Sequence, residues 1–319
     1  MERPSKQPGI STGSVERYNE FAYFADNASE YGIAYDGPPV VRRESVIMED
    51  GREMSALVWG AAPPELVLIH GGAQNAHTWD TVCLALGRPL VAVDLPGHGH
   101  SGPPAAGAAD VATNAKDIAA VIRALAPDAG TVVGMSLGGL TTLALSAQYP
   151  GLFSTMLLVD ITPGVNREKA DHIHKFVNGP TSFPSFEELL ERTMEFNPTR
   201  SESSLRRGIL HNAEQLEDGS WVWRHARHRV FADASEPENA AAGVRDYQAL
   251  WQALEGHDGP VVLARGMREQ SVVDDADEVE LLRLRPDARI ARFEEAGHSI
   301  QGDMPIELAA LIADVLDVR

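Results

Sequence analysis

The chain holds a single cysteine, Cys83, among its 319 residues. One cysteine excludes an intrachain disulfide. A thiol inside an apolar helical pattern, with no activating partner beside it, reads as a core residue and not as a nucleophile. Cationic residues are also scarce: 27 Lys and Arg stand against 46 Asp and Glu, a formal net charge of -19. Such a surface is repelled by phosphate backbones and anionic bilayers, so neither nucleic acid nor a membrane is an expected partner. No apolar run approaches the ~20 residues of a membrane-spanning helix. The opening segment MERPSKQPGISTGSVERYNE has no apolar stretch of the kind that drives secretion, which makes the cytoplasm the expected location. Neither G-x-G-x-x-G nor a P-loop occurs, so no nucleotide cofactor is implied.

What remains is an ordinary globular composition, with 44% hydrophobic and 23% charged residues. Residues 1–38 are polar and read as an N-terminal extension with one candidate helix, Val15 to Tyr31, whose aromatics would fill a surface groove. From Val40 onward the pattern changes. Val40 to Met48 and Met54 to Trp59 read as an antiparallel pair around the turn Glu49-Asp50-Gly51. Short, continuously apolar runs follow at Leu66 to Ile69, Leu90 to Val93, Thr131 to Val133 and Met156 to Val159, as expected of strands covered on both faces. Helical periodicity separates them at Ala76 to Leu86, Val111 to Ala126 and Leu140 to Gln148. The alternation predicts an α/β fold with a mostly parallel, doubly wound sheet. The rhythm breaks between about Pro163 and Asp258, a helical and polar stretch. It resumes with strands at Val261 to Ala264 and Arg289 to Phe293 and a terminal helix at Ile306 to Val318. The middle block therefore reads as an insertion between two strands of one sheet.

Three segments carry the chemistry. Gly134-Met135-Ser136-Leu137-Gly138-Gly139 follows an apolar strand and precedes a helix, the context in which G-x-S-x-G forms a tight elbow that lifts a serine hydroxyl clear of the sheet. The N–H of Leu137 would then face a developing oxyanion at a helix N-terminus. His70-Gly71-Gly72-Ala73 follows the strand Leu66 to Ile69. Its small residues let the loop approach the serine and offer a second N–H from Gly72, with His70 anchoring the loop. Ala296-Gly297-His298-Ser299 follows the last strand and supplies the base that a serine nucleophile requires.

With Asp94-Leu95-Pro96-Gly97-His98-Gly99-His100-Ser101, these motifs resemble those of the α/β-hydrolase superfamily, specifically its cap-bearing serine hydrolase branch. The resemblance runs from about Val40 to the C-terminus. It implies an eight-stranded sheet of the α/β-hydrolase fold, with residues 39–162 and 259–319 forming the core and residues 163–258 a helical cap over the active site. The family's acid commonly follows the strand at Val261 to Ala264, where this chain has Glu269 but no aspartate before Asp274. An acid one strand earlier is also tolerated, and Asp160 ends the strand Met156 to Val159. Asp160 is the preferred acid, with Glu269 the alternative and Asp274 a third candidate.

The expected activity is hydrolysis of a carboxylic ester or lactone of a small molecule through an acyl-enzyme, without metal or cofactor. The same triad could support hydrolytic C–C cleavage or acyl transfer. A binding protein of the same fold would have no need of both Ser136 and His298. Dehalogenase and epoxide-hydrolase chemistry is disfavoured because those members have Asp where Ser136 stands. His98/His100 and His172/His174 have H-x-H spacing, yet neither pair has the convergent carboxylates of a metal site. Gln74 and Asn75 are expected at the pocket mouth. Arg192, Arg206, Arg207, Arg224, Arg227 and Arg229, with His211, His225 and His228, read as a solvated face. The sharper alternative is that some of them hold a carboxylate on the substrate.

Overall fold

The computed structural model describes residues 18–105, 110–165, 168–226 and 247–318. The first helix, α1 (Phe24–Tyr31), is shorter than the periodicity suggested. Asn19 forms a side-chain turn, its Oδ1 accepting from the Phe21 N–H, and helical geometry begins only beyond it. Residues 15–17 of the expected helix lie outside the described residues. Phe24 is fully buried and meets Trp59 edge-to-face at 5.0 Å, so part of the extension belongs to the core.

β1 (Val41–Ile47) and β2 (Glu53–Trp59) form the expected antiparallel pair, turned at Gly51 with φ 82°. β3 (Leu66–Ile69) leads through a 3₁₀ turn at Ala76–Trp79 into α2 (Asp80–Leu86) and β4 (Leu90–Val93). Next come α3 (Val111–Leu125), β5 (Thr131–Met135), α4 (Leu137–Gln148) and β6 (Thr155–Val159). Chain then leaves the sheet for α5 (Asp171–Val177), β7 (Ser182–Phe183), α6 (Phe186–Phe196), α7 (Glu202–Asn212), β8 (Ala213–Gln215) and β9 (Trp221–Trp223). It returns through α8 (Gln248–Glu255), β10 (Val261–Gly266), α9 (Asp275–Leu284) and β11 (Arg289–Phe293), and ends in α10 (Ile300–Asp303) and α11 (Pro305–Asp317).

Eight strands lie in the order β1-β2-β4-β3-β5-β6-β10-β11. The pairs β1–β2 and β2–β4 are antiparallel, and every pair from β4 to β11 is parallel. Because side chains alternate across a strand, the continuous apolar runs serve two cores. Val67, Ile69, Val91 and Val132 pack with Ile118, Ile122 and Leu143 on one face. Leu66, Leu68, Leu90 and Val133 pack with Trp79, Val82 and Ile312 on the other, where the buried Cys83 thiol also lies. Burial pushes the Cys83 pKa well up, as suits an inert core thiol.

The excursion is not wholly helical. β7, β9 and β8 form a small antiparallel sheet that escaped a search for continuous apolar runs because its strands are two or three residues long. Trp223 and Phe183 pack there with Leu189, Leu205 and Ile209 in a separate small core. In contrast, α8 lies against α4, with Leu250 and Leu254 in the main core. The boundary expected at residue 258 thus falls after the first helix to rejoin the core.

Replacing fully buried Leu68 in the central strand β3 by alanine removes packing from a site the sheet cannot collapse onto. The expected loss is about 2–5 kcal/mol in urea unfolding, with an unchanged m-value.

Candidate active site

The turn between β5 and α4 holds Ser136 at φ 51° and ψ -117°, a conformation that costs a non-glycine residue about 1–3 kcal/mol. Neighbouring backbone enforces it. A Cβ on Gly138 would lie 2.3 Å from the Ile69 carbonyl oxygen, so only glycine lets α4 start this close to β3. On the other side, a Cβ on Gly71 would come within 2.4 Å of Met135 Sδ and 3.2 Å of Ser136 Cβ. The loop after β3 therefore lies directly against the serine. Leu137 is the first residue of α4, so its N–H has no acceptor within the helix.

Two neutral histidines hold that loop. His70 Nε2 accepts from the Leu95 N–H at 3.0 Å while its Nδ1–H donates to the Gly71 carbonyl at 2.7 Å. His98 Nε2 accepts from the Ala73 N–H at 3.1 Å, and its Nδ1–H donates to the Pro96 carbonyl. Burial pushes the His98 pKa down to about 3, assisted by the neighbouring His70. The Gly72 N–H between these anchored residues makes no hydrogen bond among the described residues. His98 is thus engaged in fixing the loop, and His172 in a 3.1 Å hydrogen bond to the Phe196 carbonyl.

Asp160 ends β6 in a left-handed conformation, φ 46°, with no exposed surface. Its Oδ2 accepts from His298 Nδ1 at 2.9 Å and from the Val272 N–H at 3.0 Å. Its Oδ1 accepts from the Gly266 N–H at 2.9 Å and from Ser271 Oγ at 2.6 Å. Four donors satisfy a carboxylate that would otherwise be costly to bury. Among the described residues His298 is bonded at Nδ1 only, and its buried Nε2 has no partner. Both other candidate acids lie elsewhere. Glu269 is exposed and bonded to the Gln270 side chain, whereas Asp274 caps α9 and pairs with Lys169 at 2.8 Å.

Ser136, His298, Gly72, Gln74 and Asn75 line one cavity of about 180 Å³, roofed by residues of α5, α6 and α7. Ser136 Oγ and His298 Nε2 are not hydrogen-bonded to each other, a contact of the kind that commonly tightens when substrate binds.

A further cluster lies at one end of this cavity. His211 and His225 are buried, unlike the solvated face expected of them; Arg227, Arg229 and His228 fall outside the described residues. His211 stacks on His77 at 3.9 Å, with Asp80 beside both. The three offer ligand atoms within 4.8 Å of one another. However, the rings lie 12° from parallel, so their in-plane lone pairs do not converge on one point between them. Both His77 nitrogens already face carboxylates, Asp80 at 2.9 Å and Glu20 at 3.0 Å. Burial alone would lower the His77 pKa, but these two carboxylates raise it to about 9. Burial likewise opposes ionisation of Glu20, yet hydrogen bonds from His77 and Arg43 lower its pKa to about 2. The cluster is an imidazolium held between carboxylates, and it fastens the segment around Glu20 to the core.

Residues 66–311 match the family model of the alpha/beta hydrolase family. The chain belongs to that family. It is 38% identical over 317 residues to the esterase Rv0045c of Mycobacterium tuberculosis, covering 97% of this chain and all of the relative. A solved structure of that esterase matches with a TM-score of 0.78 at 39% identity, covering 94% of this chain and 99% of the other. A 2-(acetamidomethylene)succinate hydrolase of Mesorhizobium japonicum is 26% identical over 256 residues, 80% of this chain and 88% of the relative. This protein is accordingly an enzyme of the hydrolase class. Among the described residues, no helix is long and apolar enough to cross a membrane.

The His77 network has a signed pH dependence. A raised imidazole pKa contributes stability that is fully present below about pH 6.5 and is lost as the pH rises through 9. Wild type should therefore melt roughly 5 °C above His77→Gln at pH 6, with the gap closing by pH 10. A gap independent of pH would show that the imidazolium is not what holds the segment.

Proposed function

We propose that this protein hydrolyses carboxylic esters of small organic molecules through an acyl-enzyme on Ser136, with His298 as base and Asp160 as its acid. The observation that carries the reading is the His298 imidazole. It is bonded at Nδ1 to a buried carboxylate and unpartnered at Nε2, in the cavity that also holds a strained serine. The Asp160 bond puts the proton on Nδ1 and leaves the Nε2 lone pair free to accept one, as a general base must.

In this mechanism His298 Nε2 takes the Ser136 proton as Oγ attacks the ester carbonyl. The Leu137 and Gly72 N–H groups hold the oxyanion. Collapse breaks the bond to the alcohol, which leaves with the proton from His298. Water, deprotonated by the same imidazole, then attacks the acyl-enzyme, and the carboxylic acid and free Ser136 are restored. Asp160 stays ionised throughout and stabilises the imidazolium. The segment from α5 to β9 acts as the cap, excluding bulk water and shaping the acyl and alcohol pockets. The esterase activity of the 38% identical relative supports the ester as the bond cleaved.

Turnover of p-nitrophenyl esters of rising chain length tests this. Ser136→Ala should lower kcat on the order of 10⁶-fold and Asp160→Asn about 10⁴-fold, while Glu269→Gln stays within about twofold of wild type. An undiminished Ser136→Ala rate would sink the mechanism, and a Glu269→Gln loss exceeding that of Asp160→Asn would reassign the acid.

A further inference from the structure

One cation in the cavity wall is not accounted for by the catalytic groups. The chain bends at Asn197-Pro198-Thr199-Arg200 between α6 and α7, and the Arg200 guanidinium enters the cavity from there. It lies against the main chain of Gly302, where a Cβ would stand 2.9 Å from Cζ. Gly302 is four residues beyond His298, so the guanidinium borders the loop that carries the base.

Its partners are few for a half-buried charge. Nη2 donates to Ser204 Oγ at 2.5 Å, and this is its one side-chain hydrogen bond among the described residues. Nε is buried without a partner. No described carboxylate comes within ion-pairing reach. Asp303 is close enough to be felt, but its Oδ1 already accepts from Thr199 Oγ1 and its Oδ2 from the Gly297 N–H. The other arginine of the wall, Arg207, is held by Glu30 and Asn27. Elsewhere in the excursion, Arg206 pairs with Glu202, Arg224 faces Glu214 at 3.6 Å, and Arg192 donates to the Lys175 carbonyl. Arg200 is thus the described arginine of the cavity left without an anion. A guanidinium stays protonated at any physiological pH, and holding it partly desolvated and unpaired carries a cost that a bound anion would offset.

We propose that Arg200 is the anion-binding residue of the substrate site, and that the enzyme takes esters whose acyl or alcohol part carries a free carboxylate, such as half-esters of short dicarboxylic acids. This rests on the Ser136 reading and adds a specificity determinant to it. The two Nη groups, with Nη2 keeping one hydrogen on Ser204, offer donors that can receive a carboxylate. Gly302 leaves room for the guanidinium plane, and Ser136 lines the same cavity, so a substrate anchored at Arg200 would present its ester carbonyl to the serine. The surface works against such a substrate at long range, since the chain carries a net charge of -19. Selectivity must therefore come from a short-range contact in a desolvated pocket, where charge pairing is strongest.

The test uses matched pairs: mono-p-nitrophenyl succinate, glutarate and adipate, and the same compounds with the free carboxylate methyl-capped. Wild type should favour the free acid over its methyl ester by about tenfold or more in kcat/KM at the best-fitting length. Arg200→Gln should abolish that preference through KM, while changing turnover of the methyl-capped esters less than about threefold. Arg200→Lys should keep part of it. Retained turnover of the capped esters reports that the variants are folded. Glutarate binding to Ser136→Ala by calorimetry, weakened in Ser136→Ala/Arg200→Gln, reads the same site without any turnover. The proposal is overturned if wild type shows no preference at any length, if Arg200→Gln preserves it, or if both ester classes fall equally. Failure of the esterase reading shows up separately, as capped-ester turnover indifferent to Ser136→Ala.

Discussion

Asp160 gathers four hydrogen bonds at the C-terminal edge of the sheet, from Gly266 at the end of β10, from Ser271 and Val272 in the loop beyond it, and from His298 after β11. These donors come from two separate connections, the one that follows β10 and the one that follows β11. A carboxylate with no exposed surface must be matched by donors, so once the chain commits Asp160 to the end of β6 the two later loops are drawn around it. That constraint orients the imidazole and leaves its other nitrogen to the cavity. The left-handed backbone at Asp160, like that at Ser136, is a local cost sustained by packing around it.

Much of this was legible in the chain because it rests on short-range rules. Continuous apolar runs located β3 to β6 and β10, and Arg289 to Phe293 was placed to the residue. Gly134 and Gly138 around Ser136 announce a turn too tight for side chains. The family, the eight-stranded sheet and the hydrolase class follow from the same residues. The choice of acid was harder, since Asp160 and Glu269 follow neighbouring strands, β6 and β10, each an apolar run. Only the fold reveals that one carboxylate is surrounded by donors and the other by solvent.

What stayed hidden depends on contacts across long stretches of chain. His211 sits in a polar helix and has the sequence context of a surface residue, yet Tyr18 bonds it and His77 stacks on it. Arg200 is one arginine among many, and no periodicity separates it from Arg206 or Arg207. Its distinction is that no described carboxylate pairs with it, a property of the assembled cavity. The small sheet of the excursion was missed for a different reason: its strands are too short for periodicity to register, although the alternation of Trp221 and Trp223 was its trace.

The helix near the start of the chain touches both sides of the cavity that holds Ser136 and His298. Glu30 binds Arg207, Ser201 and Ser203 of the roof, while the Tyr31 hydroxyl donates to the Gly302 carbonyl on the His298 side. A helix of eight residues thus works as a buckle, fastening roof to floor across the seam between them. Its residues precede the span matched by the family model, which begins at residue 66. The seam over the cavity is consequently held in part from outside that matched span, through Glu30 on the roof side and Tyr31 on the His298 side.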